Sequence, residues 1–578
     1  MEQREEEIPK MKAGERYEIK HKESGQRREV EVISRAGKAT SKKWSDSYNI
    51  RDLGTGQTRW INMREYENFR IIPEEENVLL GEYNDGKIME CKLKEIENWV
   101  RNEVFEEVEN QGQKTIDTRW VVTEKIKDGQ VVNKARLVAR GFEEYGKILE
   151  TEAPTCAPET LKICIAKILQ EGWAVRSLDV RAAYLQGDRI TREVYIRPPE
   201  EAHTSGIWKL KKAVYGLKDA ARAWYQSVLG HVRALGGLPS KLEPTIFRWL
   251  NERGRLIGVM CTHVDDFFYG GNELFTRSVI GKLKERLEVG CEEEVNFKYI
   301  GVRVNQERDR VVLSQEHYSA GVKEVEAWRF RGDRTLDMKE QSLYRSILGQ
   351  LNWLVQHTRP DLAVGVSMAS RKMQVAKTGD MRKLLKLVTK AKAERVEVVM
   401  ERLEGGEIEM EVFSDASFGN VDGGKSQVGY MIGLTDGRGK RCPLIWKSKI
   451  ARRVARSTIE AEAVSLGEAL EVALYLKELW RELSVSELSI TGKTDSRTLE
   501  RAIVSATAVS NRRLRIDLAA MKETLESGQV ERIEWIGSTQ QVADGLTKVC
   551  GRESLLLEYV GGTEREEERG VRVRETRW

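Results

Sequence analysis

Two adjacent aspartates, Asp265 and Asp266, lie inside the apolar stretch LIGVMCTHVDDFFYG. A buried carboxylate is costly unless it is neutralised or paired. A third acid in a matching setting is Asp179, in AVRSLDVRAAYLQG, which also ends an apolar strand-like run. Three carboxylates at neighbouring strand ends can hold two divalent cations roughly 3.5–4 Å apart, which clamp the attacking and leaving oxygens of an in-line phosphoryl transfer. Cationic charge at that point is also what makes clustered acids tolerable.

A second set of acids follows: Asp415 in VFSDASFG, Glu462 in STIEAEAVSL, Asp495 in GKTDSRTL and Asp544 in QVADGLTK. Each has apolar neighbours. Four such carboxylates can bind two Mg²⁺ and activate water against a phosphodiester, with no nucleophilic side chain. The rest of the composition narrows the metal. The six histidines form no HxxxH pair, and the seven cysteines stand singly with no CxxC. Zinc sites are therefore not supported, and oxygen ligands point to Mg²⁺ or Mn²⁺.

The elements that must position these acids can be read from the pattern. The runs LIGVMCTH and FFYGG read as two strands joined tightly, with Asp265 and Asp266 at the hairpin tip. The second set occupies strand EMEVFSDA, helix STIEAEAVSLGEALEVALYLKELW, the end of strand ELSITGKTD and the start of a last helix, TQQVADGLTK. In this helix both Glu460 and Glu462 offer a carboxylate, and Glu460 is expected to face solvent. The 578 residues suggest about three to five domains. The boundaries read as a flexible N-terminus (1–12), a small β domain of short strands (13–73), a linker (74–94), a mixed α/β region (95–335), a helical connection (336–405), a second α/β domain (406–550) and a charged tail (551–578).

The net charge of +4 excludes a uniformly basic coat but not local basic patches. GKATSKKW, KSKIARRVARS (447–457) and NRRLR (511–515) are such patches. Each fits either a solvated surface or a nucleic-acid contact. The start MEQREEEIPK lacks an apolar core, and no run of about 18 apolar residues occurs. With an odd cysteine count, the expectation is an intracellular protein without membrane contact.

Several stretches, in one order, resemble the reverse transcriptase part of copia-type LTR retrotransposon Pol polyproteins. They are RWVVTEKIKDGQVVNKARLVARGFEEYG (119–146), LDVRAAYLQG, KLKKAVYGLKDAARAWY (209–225), THVDDFFYGG and YRSILGQLNWLVQHTRPDLAVGVSMASR. SDASFG, RSTIEAEAVSL and ADGLTK resemble that family's RNase H motifs, and their AE-x-x-x-L pattern places the ligand at Glu462. The resemblance covers about residues 95–550. It implies a multidomain α/β (α+β) chain: a right-hand polymerase with fingers, palm and thumb, then an RNase H-like fold. The preceding β-barrel-like domain resembles an integrase C-terminal region more weakly.

By the same resemblance, Asp179, Asp265 and Asp266 bind two Mg²⁺ or Mn²⁺ ions, and Asp415, Glu462, Asp495 and Asp544 bind two more. Tyr184 would block a 2′-hydroxyl. Lys134, Arg136 and Arg140 belong to the fingers, without a choice among them for the phosphate contact. Tyr215, Gly216 and Lys218 lie near the templating base and incoming nucleotide. The implied partners are an RNA template, a DNA primer strand, RNA–DNA hybrid and dNTPs, with self-association or other Pol and Gag products besides. The implied location is a cytoplasmic virus-like particle, the nucleus or both. Two departures stand out: His263 replaces an aromatic residue, and Asp219-Ala220-Ala221 replaces Gln-Ser-Pro. A reverse transcriptase with RNase H is the leading expectation, and a remnant that only binds nucleic acid or partners is the alternative.

Overall fold

The computed structural model describes residues 16–21, 27–35, 47–52, 58–62, 66–72, 85–127, 130–144, 150–404, 407–421, 423–483, 487–504, 509, 511–548 and 553–561. The GKATSKKW patch, the N-terminal segment, residues 74–84 of the expected linker and the end of the tail lie outside them. The chain divides into two compact units, residues 1–87 and 88–578.

In the first unit, Arg16–His21, Arg27–Arg35, Ser47–Asp52, Thr58–Asn62 and Tyr66–Ile72 form one antiparallel sheet. Arg16–His21 lies between Arg27–Arg35 and Tyr66–Ile72. Strand alternation puts Val30 and Val32 on one face, where both are buried along with Ile50 of the neighbouring strand.

The helix Asp85–Arg101, which takes up residues 85–94 of the expected linker, and the short strands Phe105–Val108 and Thr115–Ile116 come before a two-stranded ribbon, β1 (Thr118–Lys127) and β2 (Gln130–Ala139). Next comes α1 (Pro158–Gln170), which starts with proline at its first position and is buried almost all round, Lys162 and Lys167 included. A six-stranded antiparallel sheet follows. It contains β3 (Arg176–Val180), β4 (Ile246–Leu250), β5 (Leu256–His263), β6 (Asp266–Gly271), β7 (Val289–Glu294) and the short strand Leu238–Pro239. The order is Leu238–Pro239, β4, β5, β6, β3, β7. Helix α2 (Ala220–Ala234) covers one face and α1 the other.

Period-two alternation therefore feeds two cores from one sheet. Ile246, Val259, Cys261 and Phe268 pack with Leu161, Ile165 and Ile168 of α1. Phe247, Met260, Phe267 and Tyr269 pack with Trp224 and Val228 of α2. This explains why the sequence around Asp265 is apolar without a break.

A second antiparallel sheet joins β8 (Asn296–Tyr299), β9 (Val302–Glu307), β10 (Arg310–Ser314) and β11 (Glu397–Glu401). Between β10 and β11 run α3 (Met338–His357), α4 (Ala363–Ser370) and α5 (Thr378–Ala393). Asp337 and Glu340 close a capping box at the start of α3. The expected helical connection thus ends in a strand: Arg310↔Glu401 and Ser314↔Glu397 pair across the ladder. That pairing is long-range, so local pattern did not reveal it.

The last part is a five-stranded mixed sheet: β12 (Glu409–Val421), β13 (Lys425–Thr435), β14 (Arg441–Ile450), β15 (Ser489–Thr494) and β16 (Arg532–Trp535). Its order is β14-β13-β12-β15-β16, with β15 parallel to both β12 and β16. Helix α6 (Thr458–Leu483) lies across it, followed by α7 (Arg497–Val504) and α8 (Arg512–Glu526).

Two further expectations change here. Val542–Leu546 is a 3₁₀ segment rather than the start of an α-helix, and the Gln541 side chain caps its Ala543 N–H. The region assigned to the tail opens with α9 (Ser554–Gly561), whose Leu556, Tyr559 and Val560 are buried. One continuous core runs from Cys156 of the α1 region through Cys261 and Phe268 to Leu466, Ile490 and Val560. Among the described residues, no helix is long and apolar enough to cross a membrane.

Candidate active sites

Strands β3 and β6 pair antiparallel with Asp179 opposite Asp266, and β5 meets β6 with His263 opposite Asp266. Two residues, Val264 and Asp265, make the turn. Val264 has φ +59°, a conformation that a β-branched residue adopts only under strain. Two bonds hold it there: Trp224 Nε1–H donates to the Val264 carbonyl at 2.7 Å, and Val180 N–H donates to the Asp265 carbonyl at 2.9 Å. Glycine at 290 on β7 makes room for the Asp179 carboxylate, since a Cβ there would come within 2.3 Å of Asp179 Oδ2. Half-buried His263 is held below the usual imidazole range by burial, and its Nδ1 is buried without a hydrogen-bond partner.

Tyr184 sits on the short helix Ala183–Gln186 just after β3, and its ring centroid is 4.8 Å from that of Tyr215. Burial raises both phenols, and the Asp265 charge adds to each shift. The Arg136 guanidinium lies 5.7 Å from the Tyr215 ring centroid. Backbones interlock beside this pair. Ala139 N–H donates to the Tyr215 carbonyl at 2.8 Å. Gly216 has φ +93°, and a Cβ on it would meet the Ala139 carbonyl at 2.0 Å.

Tyr184, Tyr215, Arg136 and Asp265 thus share one neighbourhood. Lys218 is turned to the Glu144 carbonyl at 3.1 Å. Lys134 is exposed on β2, and Arg140 lies 4.0 Å from Asp117 and 3.7 Å from Glu143. The departing residue Asp219 is held in a structural clasp. Arg192 donates to both of its oxygens, at 3.0 and 2.6 Å, and also pairs with Glu144.

In the second set, Asp415 lies on β12, Glu462 on α6 and Asp495 just after β15. Among the described residues, these three form the one group of acids with ligand oxygens within 4.8 Å of one another. Asp415 and Glu462 are 2% and 5% exposed. Burial pushes the Glu462 carboxyl up to about 9, and the charges of Asp415 and Asp495 add to that. Burial also raises Asp415, against a hydrogen bond from Thr547 and the Lys548 charge. Glu462 Oε2 is buried with no hydrogen-bond partner, an arrangement that fits a cation ligand. This donor set suits Mg²⁺ or Mn²⁺.

The fourth acid, Asp544, is outside this group and accepts a hydrogen bond from Lys548. Glu460, expected at the surface, is fully buried: its Oε2 accepts from Arg456 N–H at 2.8 Å and from Asn511 Nδ2 at 3.1 Å. Asn511 comes from α8's N-cap, a contact invisible in local sequence. Sequence reasoning also missed Lys548, although its (i, i+4) spacing from Asp544 was a usable signal. Arg453 of the first basic segment pairs with Asp517 of α8, two residues beyond NRRLR. Arg512, Arg513 and Arg515 are exposed.

Residues 102–328, which contain the Asp179, Asp265 and Asp266 arrangement, match the family described as reverse transcriptase (RNA-dependent DNA polymerase). Curated relatives include Pol polyproteins of transposons. A retrovirus-related Pol polyprotein from transposon RE2 of Arabidopsis thaliana is 28% identical over 76% of this chain and 31% of its own length. One from transposon TNT 1-94 of Nicotiana tabacum is 25% identical over 85% of this chain and 39% of its own. Residues 102–328 are thus similar to a reverse transcriptase domain, and most of the chain is similar to transposon Pol polyproteins.

A transposon Ty1-GR1 Gag-Pol polyprotein of Saccharomyces cerevisiae is 22% identical over 79% of this chain and 27% of its own length. The chain spans about a third of the length of these Pol relatives. A solved foamy viral protease–reverse transcriptase in complex with double-stranded DNA aligns with a TM-score of 0.44 and 11% identity, over 88% of this chain and 91% of that one.

Proposed function

We propose that this protein copies RNA into DNA at Asp179, Asp265 and Asp266, and cuts the RNA strand of the resulting hybrid at the Asp415 centre. The observation that carries the reading is the register of β3 and β6, which sets Asp179 opposite Asp266 with Asp265 at the turn, inside the segment matching the reverse transcriptase family.

Asp179, Asp265 and Asp266 would hold Mg²⁺ or Mn²⁺, as would Asp415, Glu462 and Asp495. Such a cation, when bound, supplies Lewis-acid charge to the oxygens of phosphoryl transfer or hydrolysis. The chain's own part is positioning. Trp224 and Val180 fix the turn that carries Asp265. The Tyr184 ring, braced by Tyr215, would leave no room for a 2′-hydroxyl and so favour dNTPs. Arg136, with Lys134 on β2 and Arg140 just after it, would neutralise triphosphate and template backbone, and Lys218 on the interlocked segment would lie near the templating base. Gly216 keeps that segment against β2. At the second centre, the basic segments beside α6 would follow the hybrid's backbone, read by shape rather than sequence.

The test is primer extension by the purified full chain on a primed RNA template with dNTPs and Mg²⁺, beside Asp265→Asn. Extension by the parent and not by the variant is expected. A folded parent that extends nothing overturns the polymerase half, and hybrid binding without extension would leave a nucleic-acid-binding protein. Cleavage of a labelled RNA–DNA hybrid, beside Asp415→Asn, tests the second half independently.

A further inference from the structure

The second acidic centre holds a cation of its own. Lys548 Nζ hydrogen-bonds Asp544 and lies 3.4 Å from Asp415 Oδ2 and 3.5 Å from Oδ1. Its backbone N–H donates to the Asp544 carbonyl at 3.1 Å, which ties the side chain to the turn below it. Asp415 therefore belongs to two groupings. It lies within ligand distance of Glu462 and Asp495, with the buried, unpartnered Glu462 Oε2. It also shares with Asp544 the ammonium, which lies at similar distances from both Asp415 oxygens. An acid placed between two positive positions is what a two-cation centre requires, and here one position is filled by the chain itself. The charges agree. Four carboxylates, one ammonium and one divalent cation leave a net −1, whereas keeping the ammonium beside two divalent cations would leave +1.

We propose that this centre takes one divalent cation, held by Asp415, Glu462 and Asp495, and that the Lys548 ammonium occupies the place of a second between Asp415 and Asp544. The inference rests on the reading of this centre as metal-binding and deepens it. It also revises the two ions expected from sequence. Lys548 is a positioning residue that sets how many cations the acids accept.

The experiment counts Mn²⁺ bound to the full chain by calorimetry and by loss of the free-ion EPR signal. Each background is compared with its Asp415→Asn partner, so that ions at Asp179, Asp265 and Asp266 cancel. Asp415→Asn should remove one Mn²⁺ from the parent and two from Lys548→Met. Without metal, Lys548→Met should melt below the parent, and its melting temperature should rise more on adding Mn²⁺. Lys548→Gln serves in the same way if Lys548→Met does not fold. Removal of two Mn²⁺ from the parent, or of only one from both lysine variants, overturns the inference while leaving the metal reading intact. Removal of none from any background overturns the metal reading itself, and the inference with it.

Discussion

Asp179 and Asp266 face each other across the β3–β6 ladder, and the residue after Asp179 holds the carbonyl of the residue before Asp266. The three acids are therefore fixed by one strand register. A slip of one residue would turn Asp179 to the opposite face of the sheet. The weak point is the turn, where Val264 is strained and its carbonyl depends on the Trp224 indole. Trp224→Phe keeps most of the buried ring and removes that bond. It should cost about 1 kcal/mol of stability and lower extension roughly 10-fold with little change in template binding. Thermal melts, filter binding and steady-state extension distinguish this from simple unfolding.

Gly216→Ala should do more damage than its single methyl suggests. The backbone is left-handed there, and the new Cβ would meet the Ala139 carbonyl rather than a movable side chain. Strain and overpacking together predict a loss of roughly 2–4 kcal/mol. A urea melt and an extension assay on the soluble fraction check it.

Tyr184→Ala should relax sugar selection. With the ring gone, rNTP incorporation relative to dNTP should rise on the order of 10–100-fold, while Tyr184→Phe should select as the parent does. Single-nucleotide incorporation with matched dNTP and rNTP pairs measures the ratio.

Acid should destabilise the protein through His357. It is 6% exposed, and burial, aided by the nearby Lys162 and His263 charges, lowers its imidazole to about 4 against the opposing effects of the Trp353 carbonyl and Glu159. In the unfolded chain the value is near 6.5. Between those values the unfolded state binds more protons, so stability is fully present above about pH 6.5 and falls as pH drops towards 4. From pH 7 to 5 the loss should be about 2 kcal/mol. His357→Leu should remove that part of the slope, as read from urea midpoints at the two pH values.

The hairpin that carries Asp265 and Asp266 was legible because its determinants are local. The acids sit at the ends of apolar strands, and strand alternation between two cores accounts for the unbroken apolar flanks. The short strands between residues 16 and 62 were readable for the same reason, whereas Tyr66–Ile72 was not singled out. What stayed hidden depends on partners far along the chain. Glu460 is buried because Asn511 reaches it, β11 is a strand because β10 lies beside it, and Lys548 matters because Asp415 is within reach. Asp219 reads as a simple departure from a motif until Arg192 is seen to clasp it.

The core that backs the Asp265 hairpin is the one that Leu466, Ile490 and Val560 complete. A premature stop codon anywhere before residue 560 therefore strips side chains from the support of the first acidic centre as well as the second. Truncation weakens both acidic centres at once, whereas a substitution among one set of acids leaves the shared core intact.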